Sequence, residues 1–315
     1  MILRKTLNLK PIFNRTIFIV VIIFFYLLPI NIGNAYSSQS LPIAVMIGNS
    51  PQEIIHQTGL ANADVVYEIN VEYPFTRLMA IFLNNDSTIV GPIRSSRYYF
   101  SRLAAEWCPI FAHCGGQSIK NEKIIDLDQI HYSSPYWRDK NIGGWINLFS
   151  NTDNLREKCR KLGFQTKLDL ENYLINSRTL NLSRGNISKI SIKYNHKYSV
   201  SYIYEPNRNT YLRYVNDIPH QDSKSLEHLS TSNIIIQYVP VEKISGDKEG
   251  RLEVNIIGEG IAKIFFGGHY FISKWVKKSK EQPTMYYDSQ GNPLKLNKGK
   301  IWIQIVPTET NVWFK

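Results

Sequence analysis

The stretch Gly91-Pro92-Ile93-Arg94-Ser95-Ser96-Arg97-Tyr98-Tyr99-Phe100 sets two guanidinium groups around two serines, just ahead of an aromatic-faced helical pattern. The free N–H groups and the dipole at a helix start favour an anion rather than a cation. Something negative must therefore answer Arg94 and Arg97. The candidates are the chain's own Asp64, Glu68 and Glu72, or a phosphate or carboxylate on a ligand. Arg77 and Ser95 complete this expected anion-facing set. A second set lies in the long segment 129–149, where Trp137, Arg138, Trp145, Asn147 and Phe149 put aromatic faces beside a guanidinium and an amide. Such a surface suits the face of a sugar, and aromatic residues and Arg are enriched at binding surfaces generally.

The acids also invite a catalytic reading. Glycosidases need two carboxyls about 5 to 5.5 Å apart for retention or about 6.5 to 9.5 Å for inversion. Residues four apart on a strand are separated by about 13 Å, so Glu68 and Glu72 cannot form such a pair alone. A partner from another element, such as Asp139, would be required. His113-Cys114-Gly115-Gly116 resembles a strand-end thiol with backbone donors behind it. Adjacent strand residues face opposite sides, however, so His113 cannot simply activate Cys114 and counts instead among the ligand-contacting candidates. There is no His-Glu-x-x-His run, and His220 with Asp222 makes at most a two-ligand fragment, so neither metal nor cofactor is expected.

The first fifteen residues carry Arg4, Lys5, Lys10 and Arg15 with no acid, and residues 17–30 are almost wholly apolar, the pattern of an export signal. Gly33-Asn34-Ala35 supplies a signal-peptidase site, which predicts a mature chain starting near Tyr36. The alternative is a retained anchor, although fourteen apolar residues fall short of the roughly 20 that span a bilayer. No cysteine follows the apolar run, so a lipobox is not expected. The net charge of +11 falls to +7 once residues 1–35 are removed. Outside the membrane such a charge favours acidic wall polymers, glycans and lipid headgroups. Nucleic acid is not an expected partner, and the membrane is expected only through the N-terminal segment. Of the three cysteines, Cys108 and Cys114 are too far apart along one strand to bridge, so a disulfide would need Cys159.

The elements that must position these residues divide the chain. Residues 36–164 alternate strand and helix patterns, 165–188 read as a polar linker, and 189–315 read as strand after strand with Gly, Asn, Asp and Pro turns. The expected fold class is α+β, a mixed α/β domain followed by a mainly antiparallel β domain. In "ADVVYEINVEY", Val65, Tyr67, Ile69 and Val71 alternate with Asp64, Glu68 and Glu72, which predicts one core face and one wet, cleft-lining face. Ser95 or Ser96 is the expected N-cap of a helix reaching about Trp107, with Phe100, Leu103 and Trp107 as its buried stripe. "QSIKNEKIIDL" reads as a short helix, and "SNTDNLREKCRKLG" as a longer one capped by Asn151 or Thr152 and stopped at Gly163.

The runs "PIAVMIGN", "TGLANADVVYE", "TRLMAIF", "GPIRSSR", "HCGGQS" and "YWRDKN…NLFSNTDNL", followed by "YLRYVNDIPHQD", "NIIIQYV", "GRLEVNIIGEG" and "WIQIVP", occur in order. Together they resemble the YerB-like family, exported bacterial proteins that are often lipoproteins, catalogued as domain of unknown function 3048 with its C-terminal domain. The resemblance covers nearly the whole mature chain and implies a cell-envelope location, with no reaction attached. This chain lacks the family's lipid-bearing cysteine. It also reads Trp145-Ile146-Asn147-Leu148-Phe149 where the family is expected to carry Pro-His-Asn-Leu-Tyr. The expectation is an exported protein that binds an acidic wall component or glycan through an Arg- and carboxylate-lined cleft. Two alternatives stay open: a hydrolase or transferase acting on wall glycan or peptide, and an adaptor for wall-synthesis proteins.

Overall fold

The computed structural model describes residues 41–315 apart from 73, 84, 108–109, 118–123, 165–184 and 281. The expected export segment, Cys108 and most of the expected linker lie outside the described residues. Apolar runs rich in β-branched residues form strands, as their preference for a pleated, packed surface dictates. The first half supplies β1 (Ile43–Gly48), β2 (Val65–Asn70), β3 (Thr76–Phe82), β4 (Ile110–His113), β5 (Ile125–Asp128), β6 (Trp137–Arg138) and β7 (Leu148–Phe149). The second half adds β8 (Lys189–Lys193), β9 (Ser199–Glu205), β10 (Thr210–Val215), β11 (Ile218–Pro219), β12 (Ser230–Thr231), β13 (Asn233–Val239), β14 (Val241–Lys243), β15 (Leu252–Val254), β16 (Gly258–Phe266), β17 (His269–Lys277), β18 (Met285–Tyr287), β19 (Ile301–Pro307) and β20 (Val312–Phe314). The helices are short: Pro51–Ile54, Tyr98–Ala104 and Thr152–Lys161. The molecule is mainly β.

Strands from both halves hydrogen-bond into one ten-stranded sheet, ordered β18-β17-β16-β13-β19-β2-β3-β1-β4-β5. The join is β19 beside β2, parallel, with Ile303 opposite Tyr67 and Gln304 opposite Glu68. β13 also runs parallel to β19, so the second half is not a purely antiparallel sandwich of its own. Its antiparallel remainder, β11-β10-β9-β8-β20 with β12 beside β10, forms a second sheet. That sheet buries Ile190, Ile192, Val200, Tyr202 and Tyr211 against Val45, Val66, Leu78, Ile234 and Trp302, and the Thr152–Lys161 helix packs Leu155 and Cys159 into the same layer. The opposite face of the large sheet buries Met46, Tyr67, Ile69 and Met79 under Tyr99, Phe100, Leu103 and Trp107.

Three local expectations change. Ile125–Asp128 is a parallel edge strand rather than the end of a helix, because it pairs with β4 from Ile110↔Ile125 to His113↔Asp128. The aromatic helix starts later and stops earlier than its sequence pattern suggests, at Tyr98–Ala104, with Arg97 as N-cap. Ser96 is held extended by its bridge to Gly116, donating its N–H to the Gly115 carbonyl at 2.9 Å and accepting from Gln117 at 3.3 Å, while its Oγ donates to the Arg97 carbonyl at 3.1 Å instead of capping. Gly116 has φ +88°, and a Cβ there would lie 2.3 Å from the Ser96 carbonyl, so the close approach requires glycine. Third, the polar side of β2 is not wet. The Thr152–Lys161 helix does match expectation, with Asn151 Oδ1 accepting from the Asn154 N–H at 2.7 Å.

Candidate functional site

Alternation in β2 points Glu68 the same way as Val66, into the layer between the two sheets. In β10 the inward set is Tyr211, Arg213 and Val215, which brings Arg213 to Glu68. Both side chains are fully buried, with Arg213 Nη2 2.8 Å from Glu68 Oε2. Glu68 Oε1 accepts from Tyr198 Oη at 2.6 Å, Thr76 Oγ1 at 2.9 Å and Asn49 Nδ2 at 3.2 Å. Arg213 donates through Nη1 to Tyr202 Oη at 2.8 Å and through Nε to His220 Nδ1 at 3.0 Å, and its guanidinium lies 4.2 Å from the Trp302 ring centroid. Because Nδ1 of His220 accepts, its proton sits on Nε2 and is donated to Gln57 Oε1 at 2.6 Å. Burial and the Arg213 charge hold His220 well below its ordinary pKa, in keeping with that neutral form. Burial and then the Glu68 charge push Tyr198 well above its ordinary value, so its hydroxyl stays protonated and donating. Both carboxylate oxygens of Glu68 accept, Oε1 from three donors and Oε2 from Arg213, and the group seals two sheets together.

Arg77 lies on the other face of β3, in register with Ile69 of the opposite core layer. There Glu72 answers two arginines: Arg97 Nη2 pairs with its Oε1, and Arg77 Nη2 reaches its Oε2 at 3.4 Å. The remaining guanidinium contacts go to backbone, Arg77 Nη1 to the Ser95 carbonyl at 3.0 Å and Arg97 Nη1 to the Ser96 carbonyl at 2.6 Å. Ser95 thus contributes its carbonyl. Arg94 turns to Glu53, with Nε 2.5 Å from Oε1, while Glu53 Oε2 accepts from the Ser50 N–H at 2.8 Å at the start of its helix. Burial lowers the pKa of all three arginines. The negative partners expected for these cations are the chain's own. The structure separates Glu68 from them by the thickness of the sheet, which removes the single cleft expected from the sequence.

One arginine meets an exposed aromatic ring. The Arg94 guanidinium carbon lies 3.5 Å from the centroid of the Trp145 indole, and Trp145 is 62% exposed. Trp145 sits at the tip of the β6–β7 hairpin, where Trp137 pairs with Phe149 and Arg138 with Leu148. Arg138 Nη1 donates to Asn147 Oδ1 at 2.8 Å, the Asp139 N–H to the Asn147 carbonyl at 2.8 Å, and Asp139 Oδ1 accepts from the Asn141 N–H at 2.9 Å. Asp139 therefore braces its own turn, with neither Glu68 nor Glu72 as its partner. Phe149 is buried and belongs to the core, while Trp137 is half-buried. His113 is fully buried, with Nδ1 3.0 Å from the Gly115 carbonyl and Nε2 2.5 Å from Asp126 Oδ1, so it supports the turn behind this surface rather than lining it. Cys114 donates to Gln129 Oε1 at 3.4 Å, and burial raises its pKa, the opposite of an activated nucleophile. Cys114 and Cys159 are free thiols. Among the described residues no cluster of three His, Cys, Asp or Glu side chains could hold a metal, and Asp222 accepts instead from Thr58 Oγ1 at 2.9 Å and the Gly59 N–H at 2.6 Å.

The sequence did not reveal Asn49, Gln57, Thr76, Tyr198, Tyr202 and Arg213 as one assembly, which Gln304 joins by donating from Nε2 to Tyr202 Oη at 2.6 Å. One signal was available: Arg213 alternates in phase with Tyr211 and Val215, so a charge occupies a core position of its strand.

Residues 32–165 match the N-terminal domain, and residues 190–303 the C-terminal domain, of a family described as protein of unknown function (DUF3048). The chain is 26% identical over 280 residues to "Putative lipoprotein YerB" of Bacillus subtilis (strain 168), covering 84% of this chain and 81% of the relative. Its fold is similar to that of the crystal structure of the YerB protein from Bacillus subtilis, with TM-score 0.75 at 23% identity, over 88% of this chain and 96% of that one.

Proposed function

The chain belongs to the DUF3048 family, whose function is unknown, and from that premise we propose that it is an envelope protein that binds wall glycan through the Trp145–Arg94 surface. The lipoprotein designation of the Bacillus subtilis relative supports the envelope location, as do the charged start and apolar run of residues 1–30. The observation that carries the binding reading is the exposed indole lying against a guanidinium that is itself fixed by Glu53. An indole left open on one face and braced on the other forms a preorganised apolar platform, and the Arg94 charge rigidifies it by a cation–π contact of about 0.5–1 kcal/mol. Arg138 and Asn147, bonded to each other in the same hairpin, are the polar groups that would orient sugar hydroxyls. The positive balance of the mature chain draws acidic wall polymers toward it. The candidate acids Glu68, Glu72 and Asp139 are each engaged within the protein, which favours binding over hydrolysis.

The test is co-sedimentation of residues 36–315 with purified wall material. Trp145→Ala should lower the retained fraction at least tenfold in apparent affinity, while Trp313→Ala, which removes another exposed indole in β20, should leave it unchanged. Equal retention by Trp145→Ala and the parent would sink the reading.

A further inference from the structure

The Pro51–Ile54 helix serves two surfaces. On one side Glu53 holds Arg94 against Trp145. On the other, Pro51, Gln52 and Ile54 face the β2–β3 and β8–β9 turns across a cavity of about 310 Å³. That volume sits at the small end of ligand pockets, which run from roughly 300 to 1,000 Å³. The walls are apolar: Pro51, Ile54, Pro74 and Phe75, the last 43% exposed. The floor is polar, because the buried Thr76 and Asn49 lie over Glu68 and reach its Oε1 at 2.9 and 3.2 Å.

The rim has donors to spare. Asn195 Nδ2 donates to the Pro74 carbonyl and Asn216 Nδ2 to the Lys197 carbonyl, at 2.9 Å each. Each of these N–H₂ groups keeps a second hydrogen to give. Their amide oxygens already accept, from the N–H groups of Lys197 and Ser199 at 2.8 Å each. Among the described residues the exposed side chains of Gln52 and Lys197 have no partner. Lys197 is also the one charged residue among those lining the cavity. The acids nearest in sequence or space are spoken for: Asp217 lies 3.6 Å from Lys189, Glu53 is with Arg94, and Glu68 is balanced by Arg213. At the floor it is acceptors that remain. Thr76 Oγ1 gives its proton to Glu68 and receives one from Asn49 at 2.7 Å, which leaves one lone pair. Asn49 Oδ1 receives one bond, from Gln57 at 2.9 Å.

A ligand that matches all three layers carries a carboxylate for the rim, a small apolar body for the walls and an N–H for the floor. A long-chain fatty acid has no N–H and outgrows the cavity, and a sugar acid sets hydroxyls against Pro51, Ile54 and Pro74. We propose that this cavity binds the free C-terminal carboxylate of a short peptide ending in a small apolar residue. Lys197, Asn195 and Asn216 take the carboxylate, Phe75 and Ile54 the side chain, and Thr76 the terminal amide N–H. The site is separate from the Trp145 platform, so each can fail without the other, and glycan free of peptide should leave the cavity unoccupied.

Three probes test this by NMR titration of the full mature chain: N-acetyl-Ala-Ala with a free carboxylate, the same dipeptide as its C-terminal amide, and glucuronate. The free acid should bind at least tenfold more tightly than either of the others, with shifts centred on Asn195, Lys197 and Asn216. Lys197→Met should weaken it at least fivefold, Phe75→Ala severalfold, and Trp145→Ala not at all. The Lys197 and Phe75 side chains are exposed, so both variants should keep the parent melting temperature, which is measured alongside. Equal binding of acid and amide, glucuronate binding as tightly as the dipeptide, insensitivity to Lys197→Met, or no binding of the free acid would each overturn the proposal.

Discussion

Glu68→Gln is the substitution that separates a sealing role from a catalytic one. Gln keeps the shape of Glu but removes the charge that balances Arg213, and it turns an N–H₂ toward groups that already donate, namely Tyr198, Thr76 and Asn49. Burial opposes the Arg213 charge, but a guanidinium is too basic to discharge itself in a protein, so the charge stays when Glu68 is neutralised. Removing one partner of a fully buried ion pair typically costs about 3–5 kcal/mol. At about 2 °C per kcal/mol for a chain of this size, the melting temperature should fall by about 6–10 °C. Calorimetry and urea unfolding measure it. The pairwise term follows from Glu68→Gln combined with Arg213→Met, since replacing both members of a buried pair is far less costly than orphaning one. A fall of less than about 2 °C, or a double variant no more stable than the single one, would refute this account of Glu68. A general base would instead show intact stability and lost turnover.

Other consequences follow from particular contacts. His220 is neutral and depressed in the folded chain, so as pH falls below its ordinary value of about 6.5 the unfolded chain takes the proton first. Its contribution is present above pH 6.5 and is lost on acidification by about 1.4 kcal/mol per pH unit until the folded group also titrates. His220→Gln, which can still accept from Arg213 and donate to Gln57, should flatten that part of the urea-midpoint profile. Lys277 pairs with the buried Glu106 at 2.6 Å, and burial already raises the Glu106 pKa. Lys277→Met should therefore cost about 3–5 kcal/mol at pH 7 and clearly less at pH 5, where Glu106 can take up a proton, as paired urea titrations would show. A Cβ on Gly48 would sit 2.1 Å from Glu53 Oε1 and 2.6 Å from Arg94 Cγ. Gly48→Ala should displace the Arg94–Trp145 stack, cost about 1–3 kcal/mol by overpacking, and reduce wall co-sedimentation severalfold.

Local pattern made much of the molecule legible. The apolar runs that became β1, β2, β3 and β13 show it, as do the Asn151 cap and the Phe100-Leu103-Trp107 stripe. What local pattern could not supply was the cover on the polar side of β2. Alternation shows which residues share a face, but whether that face is wet depends on a second sheet formed more than 120 residues later. Glu68 was therefore expected at a cleft, and Arg213 was not connected to it. The same limit applies to the helix start, where a long-range bridge from Ser96 to Gly116 overrides the capping tendency of serine. For Arg77, Arg94 and Arg97, charge at a helix mouth correctly demanded an acid. Glu72 was among the acids considered; Glu53 was not, although Ser50-Pro51-Gln52-Glu53 carries the spacing of a capping box, with the acid three residues after the cap.

Trp145 on Arg94 is proposed to meet wall glycan, with the buried acids structural. The most direct measurement is a heteronuclear NMR titration of the mature chain with soluble wall fragments, following the Trp indole N–H and backbone amide signals. The account predicts saturable shifts centred on Trp145, Arg94, Arg138 and Asn147, with the signals of Glu68, Tyr198 and Arg213 unmoved and no fragment consumed. Shifts centred on Tyr198 and Glu68, conversion of the fragments, or no shift at Trp145 would contradict it.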